Sequence, residues 1–275
     1  MSKKSKLRIG IVGCGAIGSS LAKEIVSSFS KESRLVALYD IKPEKSLQLS
    51  QKVIKSRKLC VGSLDNLIKK SELVIEASSA GAAWGIASKS LSAGCDIMVM
   101  SVGGMVDHLS RLYALARKNN ARVYFPSGAI SGIDALKAAN IGKVSKVVLT
   151  TRKHPEAFSG VKYVAKRFKL NNLKKDKILF SGSASRAVKY FPQNINVAAV
   201  LGLAGIGMHK TQVRIIASPY IRKNIHEVVI ESDAARIFTR TENVLHPQNP
   251  KTSFLAVLAA IATLKQILQP IKIGT

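Results

Sequence analysis

The chain has 275 residues, 47% of them hydrophobic, with 19 glycines and 8 prolines, which supplies one large domain or two modest ones and excludes a disordered polymer. Its 43 lysines and arginines outweigh 16 acidic residues, and the net +27 attracts nucleic acid, acidic membranes and anionic small molecules without dictating a fold. No apolar run approaches the ~18 residues of a membrane span, so no membrane-spanning helix is expected.

From the N-terminus, MSKKSKLRIG is basic and passes straight into a strand-like segment, without the apolar stretch of a signal peptide. LRIGIVG (Leu7 to Gly13) reads as a buried strand, IGSSLAKEIVSSF as a helix, RLVALYD (Arg34 to Asp40) as a strand and PEKSLQLSQKVI as a helix. LVIEAS, GAAWGIASKSLSAG, DIMVMSV (Asp96 to Val102), HLSRLYALARKNN and ARVYFPS continue the alternation. Strand, helix, strand in this rhythm predicts a parallel sheet with right-handed crossovers, an α/β doubly wound domain. After SGAISGIDALKAA the pattern changes. KVVLTTRKHP, KILFSGSASRAVKYFP, QVRIIASP and HEVVIESDAARIFTRTEN read as extended segments with a few helices between them. Short links between strands predict an α+β second domain of mainly antiparallel sheet. The expected division is a dinucleotide-binding domain at 1–127 and a catalytic domain at 128–251. A final helix from about Ser253, capped by Thr252 or Ser253, lies within 252–275 and is expected to pack back on the first domain.

The positive charge is spread over Lys3, Lys4 and Lys6, Lys69 and Lys70, and the stretch from Lys166 to Lys177, which reads as solvated side chains rather than one binding tail. No zinc pattern and no basic stripe interleaved with aromatics marks a nucleic-acid module. Cys14, Cys60 and Cys95 stand far apart, without metal-ligand spacing, so the expectation is a reducing, cytoplasmic compartment and no bound metal.

In GIVGCGAIGSS, Gly13, Gly15 and Gly18 form G-x-G-x-x-G between a predicted strand and a predicted helix. Gly13 allows the tight turn, Gly15 lets a pyrophosphate approach the backbone, and Gly18 lets the helix close on the sheet. The phosphates then meet the helix N-terminus, at Ala16 and Ile17. Asp40 ends the second strand 22 residues past Gly18, where a carboxylate accepts from ribose hydroxyls. This is the Rossmann-type pattern. Asp40 repels a 2′-phosphate, which favours NAD, while Lys42 can pair with one, which leaves NADP open.

The ordered pieces GIVGCGAIG, VIEAS, VMSVGGMVD, FPSGAISGIDALKAA, TTRKHP, FPQNINVAAVLGLAG, NIHEV and NPKTS run from residue 10 to residue 253. With them the chain resembles the L-aspartate dehydrogenase family. The resemblance implies NAD(P)-dependent oxidation of L-aspartate at its CH–NH2 group to iminoaspartate, which hydrolyses to oxaloacetate and ammonia or feeds NAD biosynthesis. It also implies a homodimer formed through the second domain, cofactor contacts at Ala129 and Asn196, and a catalytic histidine at His226. An amide at Asn196 suits the nicotinamide carboxamide, which offers one donor group and one acceptor. Asn194 is the alternative helix cap, and both asparagines can equally be caps or turn residues. A dicarboxylate substrate calls for cations, and Arg152 and Lys153 of TTRKHP are the candidates. One departure stands beside them: His154 occupies a position the family usually fills with proline. Two other readings stay open here. One is a dehydrogenase or reductase of another small dicarboxylate on the same two-domain plan, and the other a non-catalytic NAD-binding or nucleic-acid-associated protein.

Overall fold

The strands of the first half are apolar on both faces because both faces are covered. In the computed structural model, which describes residues 5–191, 196–247 and 249–274, β1 (Leu7–Val12), β2 (Ser33–Tyr39), β3 (Leu73–Glu76), β4 (Asp96–Val99) and β5 (Val123–Tyr124) form one sheet in the order β2-β1-β3-β4-β5. Every pairing in it is parallel. Five helices connect these strands and lie beside them: α1 (Ala16–Val26), α2 (Pro43–Ile54), α3 (Leu64–Lys70), α4 (Ala80–Ser92) and α5 (Leu109–Lys118). Alternate residues of each strand enter two separate cores. One contains Ile9, Ile11, Leu21, Ile25, Ile75 and Met98, and the other Val12, Val74, Ile86, Leu91, Ile97 and Val99. This sheet belongs to a unit that runs to Pro126 and also takes in Ala260–Ile273. Ala260 and Leu264, from the last helix α10 (Phe254–Leu268), lie fully buried in the first of the two cores.

The sequence reading extends the strand at Asp96 to Val102, whereas β4 stops at Val99 and a 3-10 turn occupies Val102–His108. Gly104 explains the seat of that turn, since a Cβ there would stand 2.2 Å from the Ala80 carbonyl oxygen. Helix α3 is absent from the sequence reading. Ser63 starts it, its hydroxyl accepting from Asn66 N at 3.2 Å.

The second unit covers Ser127–Ala259 and Gly274. It contains β6 (Val144–Lys153), β7 (Lys177–Ser183), β8 (Gln212–Ala217), β9 (Asn224–Ser232) and β10 (Arg236–Asn243), in the order β10-β9-β6-β8-β7. Only β6 and β8 pair in parallel, so the sheet is mainly antiparallel. Helices α6 (Ile133–Ala139), α7 (Lys162–Ala165), α8 (Ala184–Tyr190) and α9 (Asn196–Ala204) accompany it, with the short pair β11 (Leu245–His246) and β12 (Asn249–Ser253). Val147, Leu149, Val213, Ile215, Val228 and Ile230 are buried on one face of the sheet, while Val148, Val229 and the exposed Phe238 alternate onto the other. The segment from Lys177, read as extended, turns helical at Ala184, where the Ser183 hydroxyl caps α8 by accepting from Arg186 N at 3.4 Å. Among the described residues no helix is long and apolar enough to cross a membrane.

Candidate active site

Gly13 leaves β1 at φ 94°, a left-handed turn that any side chain would strain. A Cβ on Gly13 would also lie 2.4 Å from the Ala77 carbonyl oxygen, and one on Gly18 would lie 2.0 Å from that of Gly13. Gly15 differs: nothing stands within 4 Å of where its Cβ would be. It is the N-cap of α1, no side chain caps that helix, its first turn has no acid and its last turn carries Lys23. The first-turn N–H groups, including those of Ala16 and Ile17, are therefore donors beside open space. Asp40 follows β2 and leans on this loop, its Oδ2 accepting from Cys14 N at 2.8 Å and its Oδ1 from Lys42 N at 2.9 Å. Glycine where only glycine fits, open space at Gly15 and a fixed carboxylate beside it are what a bound dinucleotide needs. Cys14, between the glycines, is no nucleophile: burial first and the Asp40 charge second push its thiol up to about 12.

Glu76, at the end of β3, is fully buried and saturated with donors. Its Oε1 accepts from Ser78 N at 2.8 Å, Ser78 Oγ at 2.7 Å and Ser101 Oγ at 3.0 Å, and its Oε2 from Ser101 N at 2.9 Å. One carboxylate thus ties together the chain leaving β3 and the chain leaving β4. Glu76→Gln would turn an N–H group towards those donors, and is expected to lower the unfolding free energy by about 1–3 kcal/mol. A urea midpoint unchanged from the wild type would show that the carboxylate is dispensable.

In the second unit, one face of the sheet changes character along its length. Leu149 opposite Val228 is apolar and buried, but the next pair on that face is Thr151 opposite His226, with Thr241 following on β10. Two residues further along stand Lys153 on β6, Asn224 on β9 and, opposite Asn224, Asn243 on β10. Thr151, Lys153, Asn224, His226 and Asn243 are all buried. Concentrating polar groups this way is costly for a core and characteristic of a site. Thr151 Oγ1 lies 2.9 Å from His226 Nδ1, which fixes the ring. Burial first and the Lys153 charge second lower the imidazole pKa to about 3, so His226 is neutral at physiological pH. Burial alone pulls Lys153 down to about 8. Among the described residues no group of His, Cys, Asp and Glu could hold a metal ion.

The family model described as aspartate dehydrogenase, C-terminal, matches residues 134–267, and the one described as homoserine dehydrogenase, NAD binding domain, matches residues 13–126. An L-aspartate dehydrogenase of Methanosarcina mazei is 45% identical over 272 residues, covering 98% of this chain and 100% of that protein. The chain belongs to the L-aspartate dehydrogenase family. Another member, from Methanocella arvoryzae, is 40% identical over 98% of this chain and 99% of its own. The crystal structure of aspartate dehydrogenase from Thermotoga maritima superposes with a TM-score of 0.73 at 26% identity, covering 98% of this chain and 100% of that one.

Seen with the family's expected sites, the geometry sorts the candidates. Gly13, Gly15, Ala16, Ile17, Gly18 and Asp40 gather at one loop of the first unit. In the second, Lys153 and His226 share a face, but Arg152 does not. Adjacent strand residues point to opposite sides, and Arg152 is ion-paired there with Glu227, with Asp176 at 3.6 Å, while Arg240 holds the same Glu227 at 2.6 Å. The two cations expected to act together are thus separated by the pleat. His154 opens the 3-10 turn Pro155–Phe158 and lies 3.5 Å from Glu156. A cleft of about 510 Å³ beside it is lined by His154, Phe158, Phe168 and Pro219 and includes neither His226 nor Lys153. Ala129 is buried with its carbonyl oxygen accepting from Asn243 Nδ2 at 3.0 Å. Asn196 is the exposed first residue of α9, and Asn194 lies outside the described residues. Thr151, Asn224, Asn243 and Glu76 are buried polar residues that the sequence reading passed over. For the first three the available signal was the period-2 spacing of T-R-K, N-I-H and T-E-N.

Proposed function

We propose that the chain is an L-aspartate dehydrogenase, oxidising L-aspartate to iminoaspartate, which hydrolyses to oxaloacetate and ammonia or feeds NAD biosynthesis. The observation that carries this reading is the buried Thr151–His226–Lys153 face in a chain whose other unit bears the glycine turn and Asp40. When bound, NAD(P) supplies the hydride acceptor. Gly13, Gly15 and Gly18, with the N–H groups of Ala16 and Ile17, hold its phosphates, Asp40 accepts from its ribose, and Ala129 and Asn196 meet its nicotinamide end. Lys153 holds a substrate carboxylate as a point charge; Arg152, engaged by Glu227, contributes at most from a distance.

His226 handles the proton. Its Nδ1 is occupied by Thr151, so Nε2 is the atom that takes a proton from the substrate amino nitrogen, with the Nδ1 proton donated to Thr151 Oγ1. A substrate carboxylate against Lys153 cancels one of the two causes that hold the imidazole near 3. Proton affinity at His226 therefore rises when the substrate is in place. The same nitrogen serves when water adds to the imine carbon.

NAD is the preferred cofactor, because Asp40 repels a 2′-phosphate, while Lys42 beside it keeps NADP usable. Asp40→Asn keeps the side-chain volume and removes the charge, and is expected to lower the ratio of kcat/KM for NAD over NADP by about tenfold or more. An unchanged ratio removes Asp40 from the ribose. Three cysteines present as thiols support a reducing, cytoplasmic setting. A homodimer is expected to use the sheet face that carries Val148, Val229 and Phe238, the last of which is 63% exposed. The decisive experiment is a spectrophotometric screen of the purified chain with NAD and NADP against aspartate, glutamate, alanine and malate. Turnover of another dicarboxylate with none on aspartate would overturn the substrate assignment.

A further inference from the structure

Residues 127–132, SGAISG, pass through left-handed glycines at Gly128 (φ 73°) and Gly132 (φ 88°) and lie along one side of β10. Thr239, Thr241 and Asn243 alternate on that strand and so project to the same side. Thr239 Oγ1 donates to the Ser131 carbonyl oxygen at 3.3 Å, and the Thr241 and Ser131 hydroxyls are 3.1 Å apart. Asn243 Nδ2 donates to the Ala129 carbonyl oxygen at 3.0 Å. The threonine contacts are at the surface. Asn243 and Ala129 are sealed, 2% and 5% exposed.

Asn243 is a poor choice for stability alone. Among the described residues its Oδ1 is buried without a hydrogen-bond partner, a cost that offsets what the Nδ2 bond to Ala129 contributes, so the side chain adds little net stability. The half of the amide that is satisfied is the half that grips Ala129. We propose that Asn243 is a positioning residue for the cofactor, the buried end of a Thr239–Thr241–Asn243 ladder that sets the Ala129 turn. This rests on the reading above in which Ala129 meets the nicotinamide end of NAD(P). Register supports it: Asn243 stands opposite Asn224, two residues from His226 on the same face, so the ladder aligns the turn with the proton-handling face of the sheet.

The test is calorimetric titration of the full chain with NADH and, separately, with ADP-ribose, which lacks the nicotinamide. Asn243→Leu exchanges one unpaired buried acceptor, Oδ1, for another, the Ala129 carbonyl, so its melting temperature is expected to stay near wild type. NADH binding is expected to weaken by about tenfold while ADP-ribose binding is unchanged. Thr241→Val, at the exposed rung, is the second variant, expected to weaken NADH by about threefold and again to spare ADP-ribose. Unaltered NADH binding in both variants overturns the proposal, as does an equal loss for the two ligands, which would mark a general loosening. A wild-type chain that binds neither ligand would instead sink the nucleotide reading on which the proposal stands.

Discussion

His226→Ala is expected to lower kcat for aspartate by about a hundredfold or more, the usual scale for losing a general acid–base group. NADH affinity should largely survive, because the contacts proposed for its phosphates and ribose, at the Gly13–Gly18 turn and Asp40, belong to the other unit. His226→Asn is the stricter control: it can keep a hydrogen bond to Thr151 Oγ1, now 2.9 Å from the ring, yet cannot carry a proton near neutral pH. Stability provides a second readout. The imidazole pKa falls from 6.5 to about 3 on folding, so between these values the unfolded chain holds a proton that the folded chain lacks. Stability is therefore lost as pH drops through that window. The His226→Ala chain lacks this contribution, and its melting temperature should fall less steeply between pH 6.5 and about 4.5 than that of the wild type. A variant with near-normal aspartate turnover and NADH binding would move the proton-handling role elsewhere, with His154 next to test.

What the sequence made legible, and what it hid, follows from how local each signal is. The parallel half was readable because every strand there is a short apolar run, and α2 begins at Pro43 and ends at Ile54, the limits its amphipathic pattern suggests. Helix α3, only seven residues long, is too short to display a period, and its one local mark is the Ser63 cap. Helix α8, only seven residues long, hides in KILFSGSASRAVKYFP because it follows β7 without a break, and only the capping serine marks the change. At the site, His226 was reached through the NIHEV motif, since a lone histidine on a strand carries no such signal. The pairing of Arg152 with Lys153 overlooked strand geometry: once β6 extends to Lys153, neighbours must part to opposite faces. The period-2 spacing of N-I-H and T-E-N places Asn224 and Asn243 on their strand faces, but that the two stand opposite each other depends on the register of β9 with β10, which no local reading supplies. Glu76 was visible as a letter in VIEAS, but its four donors come from two loops that only the parallel sheet brings together.

Lys153→Met should separate function from stability, moving them in opposite directions. The ammonium is buried beside His226 and is assigned to a substrate carboxylate, so its loss should reduce kcat/KM for aspartate by about 10- to 100-fold, the worth of a charge-assisted hydrogen bond. The effect should fall mainly on KM for aspartate, leaving KM for NAD little changed. Stability should respond the other way. Burial lowers the Lys153 pKa from 10.5 to about 8, so below pH 8 folded and unfolded chains are both protonated and the fold carries the whole cost of a buried charge. As pH rises from 8 towards 10.5 the folded chain sheds its proton first, and stability increases across that interval. Methionine, of similar length and uncharged, removes the cost, which is on the order of 3 kcal/mol from the size of the shift. At neutral pH the variant should therefore unfold at higher denaturant than the wild type, and the gap should close as the pH approaches 10.5. Denaturant titrations at pH 7 and pH 10, paired with initial rates at varied aspartate, measure both halves. A variant less stable than the wild type at pH 7, with an unaltered KM for aspartate, would assign Lys153 to the framework of the sheet and leave the substrate carboxylate to another cation.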